Sequence, residues 1–185
     1  MQPGGLVESN WDLDPYWLLF CISSNMKPVK VIIETPKGSA EKYSYDPELR
    51  LFLLKKILPA GMVFPYDFGF FPETIGGDGD PVDVLVICEF KSFPGCIMNC
   101  RILGALIAEE KSEKKTERND RFFAIPVMSK VFQHISSVND IPKQEMTELV
   151  NFFIAYNLEE GKEFRPIKML DPVDAGKLYK KSHSK

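Results

Sequence analysis

At 185 residues, with 44% hydrophobic and 26% charged side chains, the chain is long enough to bury one core and too short to expect two domains. That composition is not the composition of a disordered segment, and the formal net charge of −3 argues against a constitutive nucleic-acid binder, which needs a basic surplus. An acidic protein that handles an anionic substrate must gather its positive charge locally or recruit cations.

Residues 1–25 differ in character from the rest of the chain. One apolar run, Tyr16-Trp17-Leu18-Leu19-Phe20-Cys21-Ile22, falls far short of the roughly 20 residues needed to cross a bilayer. Glu8, Asp12 and Asp14 precede it in place of the basic flank of a signal peptide. We expect an N-terminal extension, loosely attached or not native with Met26 as the natural start, followed by one domain over 26–185.

From Val29 the pattern is mostly strand. β-branched residues over 29–34 are bounded by Pro36-Lys37-Gly38, and 42–45 pairs with 50–56 around Asp46-Pro47-Glu48. Further strands are expected at 83–88, at 97–107 after the Pro94-Gly95 turn, and at 122–127, with a charged, solvated hairpin tip over 109–120. Met146, Leu149, Val150, Phe153 and Tyr156 recur at helical spacing within 142–157, with Asp140 or its neighbours available as the cap. Asp171-Pro172 opens a short terminal helix. Strands followed by helices suggest a mainly β, α+β fold, a closed barrel packed with helices.

Cys21, Cys88, Cys96 and Cys100 form no C-x-x-C pair, and His134 and His183 are the only histidines. Zinc sites built on several histidines are thereby excluded, and reduced thiols in a cytoplasmic protein are the expectation. No G-x-S-x-G elbow appears, and Glu163 after Gly161-Lys162 rules out a Walker A loop.

The most informative segment comes after Phe64-Pro65-Tyr66-Asp67-Phe68-Gly69-Phe70: the loop Gly76-Gly77-Asp78-Gly79-Asp80-Pro81-Val82-Asp83. Residues two apart in extended chain face one side, so Asp78 and Asp80 can converge, while Asp83 needs a bend that Gly79 and Pro81 can supply. Hard oxygen ligands suit Mg²⁺ or Mn²⁺, and two such ions about 4 Å apart lower the pKa of water while neutralising phosphate oxygens. The same loop satisfies part of an EF-hand pattern, with Glu89 in twelfth place, yet Asp83 stands where glycine is required. Without other motifs it could equally be a solvated acidic turn.

Other motifs accompany it: V-I-I-E-T-P containing Glu34, K-Y at Lys42, Arg101 with Gly104, F-F-x-x-Y-N over 152–157, and E-G-K at Glu160 to Lys162. Together they resemble the soluble inorganic pyrophosphatases over about 29–168, with F-P-Y-D-F-G-F, D-G-D-P-V-D and R-N-D-R similar to a bacterial subgroup. The resemblance implies a five-stranded closed barrel of the oligonucleotide-binding type with flanking helices. It also implies hydrolysis of pyrophosphate to two orthophosphates by water activated between magnesium ions, with manganese as a substitute, and a cytoplasmic homo-oligomer, often a hexamer. By position it makes Asp78, Asp80, Asp83 and Asp120 metal ligands, Asp80 also the base, and Glu34 and Glu110 further metal-binding carboxylates. Lys42, Lys56, Arg121 and Tyr156 would hold the phosphates.

The chain departs from that pattern. Phe64 and Phe68 stand where tyrosines are usual, Ser44 replaces a glutamate, Lys56 an arginine and Asn157 a lysine, while Asn119-Asp120-Arg121 puts Asn in the Asp place of an expected Asp-x-Lys, with Asp120 one residue later. An altered phosphoanhydride hydrolase or an inactive member is one alternative. A non-catalytic binding module that stacks bases on Phe64, Phe68, Phe70 and Phe71 is another.

Overall fold

The computed structural model describes residues 27–183, so the expectations for residues 1–25 lie outside the described residues. Its main sheet has seven strands. β1 (Val29–Thr35) pairs antiparallel with β4 (Asp67–Phe70), and β4 with β5 (Asp83–Val86). β5 runs parallel to β8 (Arg121–Pro126), which lies antiparallel to β6 (Ile97–Lys111). Along β6 are also β7 (Thr116–Arg118), β9 (Glu163–Leu170) and, through Val29 to Ile32, β1. A separate two-stranded ribbon joins β2 (Glu41–Asp46) to β3 (Leu51–Ile57). The helices are α1 (Lys143–Leu158) and α2 (Pro172–Ser182).

These pairings correct the expected five-stranded closed barrel of the oligonucleotide-binding type. Seven strands share the sheet, one neighbouring pair is parallel, and the ribbon stands outside it, so the architecture is mixed, a mainly β body carrying two helices. The cause is β6. At fifteen residues it is long enough for successive stretches to serve β1, β8, β9 and β7, where a strand of ordinary length would serve two neighbours.

Period-2 alternation sorts the side chains of β5 and β8 into two cores. Leu85, Phe123 and Ile125 point into one, which Leu149 and Phe153 of α1 cover. Val84, Val86, Phe122 and Ala124 point into the other, against Ala175 of α2, with Leu178 and Tyr179 packed at its margin. Both strands are thus buried on two faces, which is why they read as continuous apolar runs. Asp140 does not cap α1. Its carboxylate accepts from the Ser136 and Ser137 N–H groups in a preceding 3₁₀ turn, and α1 starts after Pro142 with no side-chain cap.

Candidate active site

The acidic loop is closed before it reaches β5. Phe71 N–H donates to Val82 O (3.0 Å), and buried Thr74 accepts from Val82 N–H (3.0 Å) while donating to Phe71 O (2.6 Å). Inside this clasp Gly76 N–H donates to Asp80 O (2.7 Å) and Asp80 N–H to Asp78 Oδ1 (3.2 Å). Gly79 takes φ +93°, a left-handed conformation that L side chains rarely adopt. Gly77 lets the loop lie against β7, since a Cβ there would stand 2.7 Å from Arg118 O.

Asp83 opens β5 and Arg121 opens β8, and the parallel register that sets Val84 beside Phe122 makes them lateral neighbours. Arg121 Nη1 donates to Asp83 Oδ2 and to Asn119 Oδ1. The guanidinium is buried among Phe68, Phe153 and Phe164, with its centre 5.6–6.0 Å from the three rings. Burial pushes the Asp83 carboxyl up to about 6 against the pull of Arg121 and Lys42, and Glu34 and Asp78 push it the same way. Burial likewise raises Asp78 and Asp120.

On the ribbon Lys42 and Lys56 occupy directly opposed positions. Like charges so placed repel, and each is compensated: Lys42 Nζ lies 2.9 Å from Glu34 Oε2, and Lys56 pairs with Glu160. Lys42 sits over the Phe68 ring at 4.4 Å and Lys56 over the Tyr156 ring at 3.7 Å, so aromatic faces add to their anchoring. Burial raises the Tyr156 hydroxyl well above its ordinary pKa and keeps it protonated, a donor. Lys162 lies 2.6 Å from Glu110 and 3.4 Å from Glu160, and Asn119 Nδ2 donates to Glu110 (3.2 Å). One polar chain therefore runs from Lys56 through Glu160, Lys162, Glu110, Asn119 and Arg121 to Asp83.

Asp78, Asp83 and Asp120 share a cavity of about 260 Å³ with Asn119, Arg118 and Lys181. Asp80 is exposed and is not among its lining residues, although its charge bears on Asp78. Asp120 accepts from Arg118 Nε (2.8 Å) and from Ala108 N–H (3.2 Å). Arg118 stood within R-N-D-R without a role of its own, and Lys181 had no sequence motif to mark it. Glu160 and Lys162 did, within E-G-K, but Lys56, the partner of Glu160, lies 104 residues away. Phe64, Phe68, Phe70 and Phe71 are all buried, which removes them as stacking platforms. Asn157 is buried as well, its amide donating to Phe153 O, so it offers no cation where the resemblance expects lysine.

Among the described residues no three His, Cys, Asp or Glu side chains form a ready-made metal cluster. The donor set nonetheless fits a hard divalent cation. It is all oxygen, and Asp83, Glu34, Asp78 and Asp80 are close enough to repel one another, Glu34 and Asp78 acting on Asp83 and Asp80 acting on Asp78.

A family model described as inorganic pyrophosphatase matches residues 31–185. The chain belongs to the inorganic pyrophosphatase family. It is 36% identical over 152 residues to an inorganic pyrophosphatase of Halalkalibacterium halodurans, covering 82% of this chain and 91% of that one. It is 37% identical over 136 residues to one of Haloferax volcanii, covering 73% and 75%. The crystal structure of inorganic pyrophosphatase from Thermus thermophilus superposes with a TM-score of 0.78 at 30% identity, covering 85% of this chain and 90% of that one. The fold of this chain is thus that of an inorganic pyrophosphatase, and Lys42 and Lys56 stand opposed on its two-stranded ribbon.

Proposed function

We propose that this chain hydrolyses inorganic pyrophosphate to two orthophosphates at the junction of the acidic loop and the β2–β3 ribbon. The observation that carries the reading is the pair of opposed lysines, Lys42 held by Glu34 and Lys56 joined through carboxylates, Lys162, Asn119 and Arg121 to Asp83. A small, densely charged anion needs cations on one side and neutralised carboxylates on the other, and this junction supplies both.

Asp78, Asp80, Asp83 and Asp120 would hold magnesium, or manganese in its place, with Glu34 and Glu110 as further ligands. Bound there, such ions neutralise phosphate charge and make water acidic enough to attack near neutral pH. The protein's own groups do the rest. Exposed Asp80 accepts the proton of the attacking water. Lys42 and Lys56 hold one phosphate, and Tyr156 and Arg121 stabilise charge on the departing one. Arg121 Nε, buried without a hydrogen-bond partner among the described residues, is a donor in reserve.

Phosphate release from pyrophosphate, measured with magnesium and again with chelator, tests the reading. Release that requires the ion is expected, and no release in either arm overturns it. A hexamer in the cytoplasm is proposed with it. Leu51, Leu53, Leu54 and Ile57 are exposed on the ribbon and give copies of the chain an apolar surface to share. Sedimentation at micromolar concentration distinguishes the hexamer from a monomer.

A further inference from the structure

The cations of the site are nearly all committed. Lys42 pairs with Glu34, Lys56 with Glu160, Lys162 with Glu110 and Glu160, Arg121 with Asp83, and Arg118 with Asp120. Among the described residues Arg118 and Lys181 are the two cations that line the cavity beside the acidic loop, and Lys181 alone of these two has no carboxylate partner. An unpaired ammonium on a flexible stem, at the rim of a cavity of about 260 Å³, can move onto an entering anion without breaking an existing ion pair.

Lys181 is carried there by an anchored element. Asp171 caps α2 through the Asp174 N–H, and Leu178 and Tyr179 pack onto the second core. Tyr179 stacks edge-on against Phe71, the residue that opens the acidic loop, with centroids 4.9 Å apart. At the end of the helix Ile75 N–H donates to Ser182 O at 3.1 Å, tying the last turn directly to the loop. The loop and the helix end that carries the lysine are therefore tied to each other, although about a hundred residues separate them in the chain.

We infer that Lys181 is a phosphate-binding residue of this site, one that contacts a phosphate group seated in the cavity between the acidic loop and α2. The inference rests on the proposed pyrophosphatase activity. With divalent ions held at Asp78, Asp83 and Asp120 the cavity would have the scale of one phosphate group, and Lys181 is the lining cation with no carboxylate to leave before holding it.

The test compares the full-length protein with Lys181→Ala, Lys181→Arg and, as a charge control on the same helix, Lys177→Ala, whose ammonium pairs with Asp174. Two quantities are read in magnesium: KM against kcat for pyrophosphate, and the affinity for inorganic phosphate by calorimetry. Loss of one charge-assisted contact should raise KM and weaken phosphate binding about tenfold in Lys181→Ala. Lys181→Arg should return both to within about twofold, and Lys177→Ala should change neither by more than about that. If the parent protein releases no phosphate, the pyrophosphatase reading itself fails. An active parent with unchanged KM and phosphate affinity in Lys181→Ala overturns the assignment of Lys181. So does an equal loss in Lys177→Ala, because net charge would then explain both.

Discussion

Arg121 and Asp83 meet at the starts of two parallel strands, and the guanidinium that holds the carboxylate is itself buried against three phenylalanine rings. Removing the cation leaves a carboxylate without its compensation in a poorly hydrated place. Arg121→Met is therefore expected to lower stability by about 3 kcal/mol, as for other half-broken buried pairs. Urea denaturation monitored by far-ultraviolet circular dichroism checks it, and a midpoint within error of the parent would show the pair to be dispensable.

Asp80 stands apart from the cavity residues yet is proposed as the base. Asp80→Asn keeps the size of the side chain and the backbone turn, in which Asp80 contributes only N–H and C=O groups. Turnover should fall by about 10²-fold or more with an unchanged melting temperature. Near-parental turnover would remove Asp80 from that role.

A third expectation concerns acid stability, away from the site. The hydrogen bond from its own backbone, then those from Ser129 Oγ (2.8 Å), Lys130 N–H (2.9 Å) and the Val131 backbone, hold the Glu89 carboxyl down to about 2 from an ordinary 4.5. A depressed carboxyl stabilises the fold fully above its unfolded pKa and loses that contribution as pH falls through the folded one. The melting temperature of Glu89→Gln should lie below the parent's at pH 6, and the gap should narrow between pH 4.5 and pH 2. A gap independent of pH would assign the effect to packing.

Divalent ions should matter to the fold as well as to the reaction, because the carboxylates at Asp78, Asp83 and Asp120 are raised by burial. At about a hundred times its Kd, magnesium should add roughly 2.7 kcal/mol of stability at about pH 7.5. Denaturation midpoints with and without chelator measure this. Equal midpoints would mean that no ion binds the folded state preferentially.

How much of this could be read from the chain depends on where each residue finds its partners. Phe122 to Pro126 announces itself because both faces are buried, and Asp78, Asp80 and Asp83 because they share one short loop. β9 does not, since its exposed side chains and Pro166 resemble a loop; Pro166 is tolerated where the register against β6 shifts. β4 is hidden by its length of four residues and by Gly69. Both the order of strands and helices and the motif similarity pointed to a closed barrel, but the reach of β6 along four neighbours is a matter of pairing, which composition and periodicity do not encode. Lys181, and the part Arg118 plays within R-N-D-R, escaped for a related reason: each is an ordinary surface cation until tertiary structure sets it beside the acidic loop.

The side-by-side start of β5 and β8 limits how this chain can vary. Adding or deleting one residue at the head of either strand would turn its opening side chain to the opposite face, and acid and base would part company even with every functional residue retained. The turn at 112–115, where Ser112 and Lys115 close β6 onto β7, carries no such constraint. Length changes in functional descendants of this sequence should therefore accumulate at that tip and be absent from the segments entering Asp83 and Arg121.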